Sequence, residues 1–159
     1  MKKALLILIC VSMLSACSKG EEDLYSYTFS KNSKVTSESF EGSYMRHGKV
    51  VRGANLVFEY VFVKDDVENI ADDEYSEFIY FEIDPSLDEF NYVDEELNTI
   101  NTVFTQSCFC AFFEEEKNVA PTGSISGKKI SETQWDITID VIFYGDEARN
   151  INNRFQLKD

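Results

Sequence analysis

Two cysteines one residue apart, in Cys108-Phe109-Cys110, are the most distinctive chemical pair in this sequence. In an oxidising compartment such thiols form a disulfide, serve as a redox pair, or bury as two small residues. Residues two apart in an extended strand lie on one face with Cα atoms about 6.6 Å apart. Disulfides reach to about 6.8 Å, so a bridge here sits at the limit of the geometry unless the backbone bends or bulges. A metal centre would need further soft or imidazole ligands. The sole histidine, His47, falls in Arg46-His47-Gly48-Lys49, which reads as an exposed basic hairpin turn with Gly48 at positive φ. One histidine cannot furnish a multi-histidine zinc site, and a Ser-His-Asp arrangement would have to use this residue alone. Gly123-Ser124-Ile125-Ser126-Gly127 has the glycine spacing of a nucleophile elbow. Its central residue is Ile125 rather than Ser, so the segment reads as a turn and strand start.

Carboxylates cluster at Asp65-Asp66, Asp72-Asp73-Glu74, Asp88-Glu89, Asp94-Glu95-Glu96 and Glu114-Glu115-Glu116. Paired carboxylates can hydrolyse glycosides or bind calcium. None of the clusters has the alternating ligands and central Gly of an EF-hand loop. The candidate they offer is a weak surface cation site over Asp65, Asp66, Asp72, Asp73 and Glu74; solvated loops are the alternative. No catalytic residue and no cofactor motif stands out. Trp135 at a strand start, and Tyr75, Tyr80 and Tyr92 beside acidic loops, would hold sugars or protein partners if exposed, and would pack the core if buried.

The chain starts Met1-Lys2-Lys3, followed by an apolar run from Ala4 to Val11 and then Leu14-Ser15-Ala16-Cys17. Two lysines ahead of a short apolar segment have the layout of a secretory signal peptide. The run is too short to span a bilayer, which takes about 20 apolar residues. Leu14-Ser15-Ala16-Cys17 resembles the lipobox of bacterial lipoproteins. The resemblance covers this segment alone. It implies cleavage before Cys17, acylation of that residue (the palmitate type of modification), and a membrane anchor held by about 0.8 kcal/mol per buried CH₂. Ser18 follows Cys17, which by the same resemblance implies sorting to the outer membrane, on its periplasmic face or at the cell surface. Residues 1–16 are then a signal peptide, 17–23 a lipidated acidic tether, and 24–159 one β-rich domain. Cys10 leaves with the signal.

The elements that must position these residues read mostly as strands. Leu24 to Phe29, Ala54 to Val63, Tyr75 to Ile83, Ser124 to Ile130 and Trp135 to Phe143 alternate with period two. Val35 to Tyr44 is a weaker case, Cys108 to Phe113 is apolar on both faces, and Asn153 to Leu157 would close the sheet. Asp84-Pro85 can cap a helical turn. Val93, Leu97, Ile100 and Phe104 lie at i, i+4, i+7 and i+11 behind an acidic first turn, which predicts one short amphipathic helix near 93–104. About seven or eight strands predict an antiparallel β-sandwich or a small β-barrel.

The 159 residues carry 15 Lys+Arg and 29 Asp+Glu, net charge -14, and are 43% hydrophobic with 14% aromatic. The apolar content is too high for an acidic disordered tail. The charge argues against nucleic acid, whose phosphates are met by clustered bases. Cleavage of the signal removes two bases and no acid, leaving 13 against 29, net -16. These readings predict an outer-membrane-anchored, non-enzymatic binding domain whose partner is a protein or an envelope glycan, steered by charge towards a basic surface. An envelope inhibitor or immunity-type protein would share the size, anchor and charge. A lipocalin-like carrier and a carboxylate hydrolase are further alternatives.

Overall fold

The computed structural model describes residues 23–65 and 74–158. Among the described residues nine strands form one sheet: β1 Leu24–Ser39, β2 Arg46–Arg52, β3 Asn55–Val63, β4 Ser76–Ile83, β5 Glu89–Val93, β6 Val103–Ser107, β7 Thr122–Ser131, β8 Gln134–Phe143 and β9 Glu147–Leu157. Their order is β5-β7-β8-β9-β1-β3-β4-β6, with β2 paired to β1. Neighbours run antiparallel except at the centre, where β1 and β9 pair parallel at Thr28↔Gln156 and Phe29↔Leu157. That seam joins two antiparallel halves, and the sheet folds there so that the halves face one another. Among the described residues no helix is long and apolar enough to cross a membrane.

Period-two alternation explains the fold. In β8, Trp135, Ile137, Ile139, Val141 and Phe143 are all buried, as their spacing predicts. Across the roll they meet Phe58 of β3 and Phe104 of β6, in one core with Phe81 of β4. Phe58 packs edge-on against Trp135 at 5.6 Å and stacks on Phe81 at 4.9 Å, while Phe104 stacks on Phe143 at 4.8 Å. Offset and edge-to-face rings of this kind add about 0.5–1.5 kcal/mol per pair beyond the area they bury.

The opposite face of β3, β4 and β6 is also covered. Strand β1 leaves the main sheet where its register with β3 slips between Ser30 and Ser33, with Asn32 at φ 53°. The buried carboxylate of Glu82 secures the departure, accepting hydrogen bonds from Val35 N–H (2.5 Å) and Asn101 Nδ2 (2.8 Å). The second half of β1 pairs with β2 as a hairpin that packs on this outer face. A small second core of Val35, Val57, Tyr80 and Val103 fills the contact. Gly48 lies on the Tyr80 ring so closely that a Cβ would come within 2.4 Å of it. The glycine is needed for this approach, not for the turn predicted at Arg46–Lys49; those residues belong to β2, and the turn is made by residues 40–45 with Gly42 at φ 78°.

Two other expectations change. The helix near 93–104 is a 3₁₀ turn over Asp94–Asn98, because Val93 is extended and both Asp94 and Asn101 take positive φ. Leu97 and Ile100 are buried all the same, since three residues per turn put them on one side. Phe104 is buried from a strand, and Val93 is largely exposed. Cys108 to Phe113 is a loop, not a strand. Strand β5, with a single buried residue, Phe90, carries too little pattern to be seen beforehand.

Candidate functional site

The loop between β6 and β7 runs over residues 108–121 and holds one 3₁₀ turn, Glu115–Lys117. It packs beside the β1–β2 loop, residues 40–45, and the two are bonded together. Tyr44 N–H donates to Phe112 O at 3.1 Å, and the Tyr44 ring meets Phe112 edge-on at 5.7 Å. Met45 is fully buried beneath them, its sulfur accepting Gln106 N–H at 3.3 Å. Tyr144, also buried, donates its hydroxyl to Phe104 O at 2.5 Å and accepts Arg46 N–H at 3.2 Å. These contacts anchor the base of both loops to the core.

Their tips are apolar. Phe109 is 88% exposed, Phe40 71% and Phe113 66%. Burying one such side chain is worth about 1.5–3 kcal/mol, so three phenylalanines left in water on adjoining loops mark a contact surface. Cys108 and Cys110 are joined by a disulfide with Cα atoms 5.2 Å apart. The backbone is thus bent there, well short of the spacing in an extended strand, and the ring so closed carries Phe109 at its tip. Below the tips is a groove of about 320 Å³ lined by Phe40, His47, Gln106, Phe113 and both cysteines. On the far side of Phe113 a groove of about 490 Å³ is lined by Gly42, Ser43, Tyr44, Glu114 and Glu115.

The remaining sequence candidates fall elsewhere. His47 stands in β2, half-buried, with its ring 5.1 Å from Phe40. Trp135 is core, Tyr80 lies under the hairpin, and Tyr75 donates a hydrogen bond to Glu77. Gly123 to Gly127 is part of β7, and Gly123 N–H donates to Asp94 Oδ1 at 2.8 Å. Of the acidic cation candidate, Asp65 and Glu74 are placed. Asp66, Asp72 and Asp73 lie outside the described residues, as does Cys17. Among the described residues no group of three or more His, Cys, Asp or Glu side chains is arranged to hold a metal ion. A groove of about 220 Å³ over Phe29 and Trp135 is rimmed by Lys31 and Lys129, both paired with Glu132, at 3.2 and 2.5 Å. Its charges are matched internally.

Phe40, Phe109 and Phe113 were not singled out by the sequence reading. The available signal was the aperiodic stretch from Cys108 to Pro121, holding three phenylalanines and a closely spaced cysteine pair. Comparison with protein-family models, with curated proteins and with solved structures gives no match.

Proposed function

We propose that the chain is a lipid-anchored, non-enzymatic binding module of the outer membrane, and that the face formed by Phe40, Phe109 and Phe113 is its contact surface. The observation that carries this reading is the exposure of three phenylalanines on loops whose bases are tied into the core. A preorganised surface loses little conformational freedom on binding. A protein partner suits the face better than a glycan, because phenylalanine offers a sugar no hydrogen-bonding atom. A photo-crosslinking residue at position 109, introduced in the cells that make the protein, is expected to give a discrete higher-mass adduct that a probe at the outward Thr138 of β8 does not. Equal yields at both positions, or no adduct at 109, would remove this surface from consideration. The anchor is checked by radiolabelled palmitate, expected to be incorporated by the natural chain and lost in Cys17→Ser; label retained in the variant would overturn it.

An inhibitor role is the second reading. The disulfide-closed tip at Phe109 favours it, since a braced protruding loop suits insertion into another protein's cleft. Protection of cells from a lytic enzyme or toxin, abolished by deleting the gene, would separate it from passive binding.

A further inference from the structure

Phe113 is a wall shared by two grooves of different chemistry. On one side lie Phe40, Phe112 and the Cys108–Cys110 bridge; on the other lie Glu114 and Glu115. The acidic side is not neutralised from within. Among the described residues Glu115 and Glu116 form no ion pair, and Glu114 has Lys117 at 4.0 Å. That lysine is closer to Asp146, at 3.1 Å, and stands over the Tyr44 ring at 6.0 Å. Glu41 in the opposing loop adds a further exposed carboxylate. An apolar slot thus adjoins uncompensated negative charge, on a protein that is itself strongly acidic.

Resting on the binding-module reading, we propose that this face takes a basic polypeptide segment of another protein. An aliphatic or aromatic side chain of that segment enters the groove between Phe40 and Phe113. A neighbouring Lys or Arg meets Glu114 and Glu115, where desolvation by the phenylalanines strengthens the attraction. The exposed rings add a favourable surface for the cation. A lipid surface fits poorly: a membrane-docking face carries Lys and Arg beside its apolar tips, and anionic headgroups repel the glutamates here.

The test uses the intact chain in phosphatidylcholine nanodiscs, with empty discs as reference, and fluorescence anisotropy of three labelled peptides. One alternates Lys and Leu, one replaces every Lys by Glu, and one replaces every Leu by Ser. The Lys-Leu peptide is expected to bind at least about tenfold tighter than either relative, and to weaken about tenfold between about 50 and 500 mM salt. Phe113→Ser should lower its affinity about tenfold, and combined Glu114→Gln, Glu115→Gln and Glu116→Gln should clearly reduce the salt dependence, leaving the part that comes from the protein's overall negative charge. All four positions are exposed, and unchanged circular dichroism would show that the variants fold. Equal affinity for the Glu peptide, or undiminished salt-dependent binding by the glutamine variant, would overturn the proposal. So would capture of the discs by phosphatidylglycerol vesicles in place of the peptides. A position-109 adduct in cells together with failure of the peptide arms would defeat the basic-segment inference alone; absence of the adduct would defeat the binding surface itself.

Discussion

Glu77 and Arg149 show what individual polar residues do inside this roll. Glu77 points inward from β4, and Arg149 reaches it from β9 with Nε 2.8 Å from Oε2, while the guanidinium lies 4.7 Å from the Phe104 ring centre. Tyr75 donates to the same carboxylate and accepts from Gln106 Nε2 at 3.0 Å. A buried charge is tolerable only when its remaining lone pairs and protons are satisfied, and this network satisfies them across two halves of the sheet. It also makes a pH prediction. Burial, reinforced by the bond to Glu77, pushes the Tyr75 hydroxyl up to about 12. Burial beside Glu59 does the same to Tyr80, again to about 12, and burial raises Tyr60 as well. A tyrosine in the unfolded chain ionises near 10. The raised values favour the protonated folded form, so this stability is fully present below about pH 10 and is lost as pH rises from about 10 to about 12. Urea unfolding midpoints should therefore be level up to about pH 9 and fall steeply above about pH 10, with a shallower fall in Tyr75→Phe. A midpoint unchanged at about pH 11 would contradict the assignment.

At the scale of elements, loop and strand have separable roles. The Cys108–Cys110 bridge closes only three residues, so it removes little entropy from the unfolded chain. Replacing both cysteines by serine should cost about 1–2 kcal/mol at most, a fall of a few degrees in Tm. The same variant should lose most of the crosslinking yield at position 109, because Phe109 would no longer be presented on a closed ring. A collapse of the fold would show that the bridge is a structural staple instead; full crosslinking yield would show that presentation of Phe109 does not depend on it. Strand identity was readable wherever one face is buried and the other wet. Trp135 to Phe143 follows that rule; Tyr75 to Ile83 was readable from its alternation alone, since Phe78 and Tyr80 face the second core and Ile79, Phe81 and Ile83 the first. It failed at Cys108 to Phe113, where an apolar run is a loop: six apolar residues in a row carry no period, and nothing local says whether they face a core or water. It failed again at 93–104, because Leu97 and Ile100 suit an α-helical and a 3₁₀ spacing equally.

For the whole molecule, the seam between β1 and β9 is decisive. Strand β9 supplies Phe155 to the core and Arg149 to the polar network, and both halves of the sheet pair through it. Around this scaffold the charge is one-sided, at net -14 for the full chain. Like charges confined to a compact surface repel one another, and salt screens that repulsion. Raising NaCl from about 20 to about 200 mM should lift Tm by a few degrees, measured by differential scanning calorimetry. A fall in Tm would mean that local pairs such as Lys31 with Glu132 and Arg154 with Asp136 outweigh the general repulsion.

Composition and periodicity are enough to determine that this chain is acidic, mainly β, and built on the inward faces of strands such as β3, β4 and β8. Those properties are local: they depend on which residues alternate along a few consecutive positions. The tertiary structure alone decided that β1 pairs in parallel with the last strand, that its hairpin doubles back over Tyr80, and that Phe40 meets the loop of Phe109 and Phe113. Each of these joins segments dozens of residues apart, through backbone ladders and close packing around one glycine. Contacts of that range leave no period in the sequence, because the residues that form them are selected by their distant partners rather than by their neighbours.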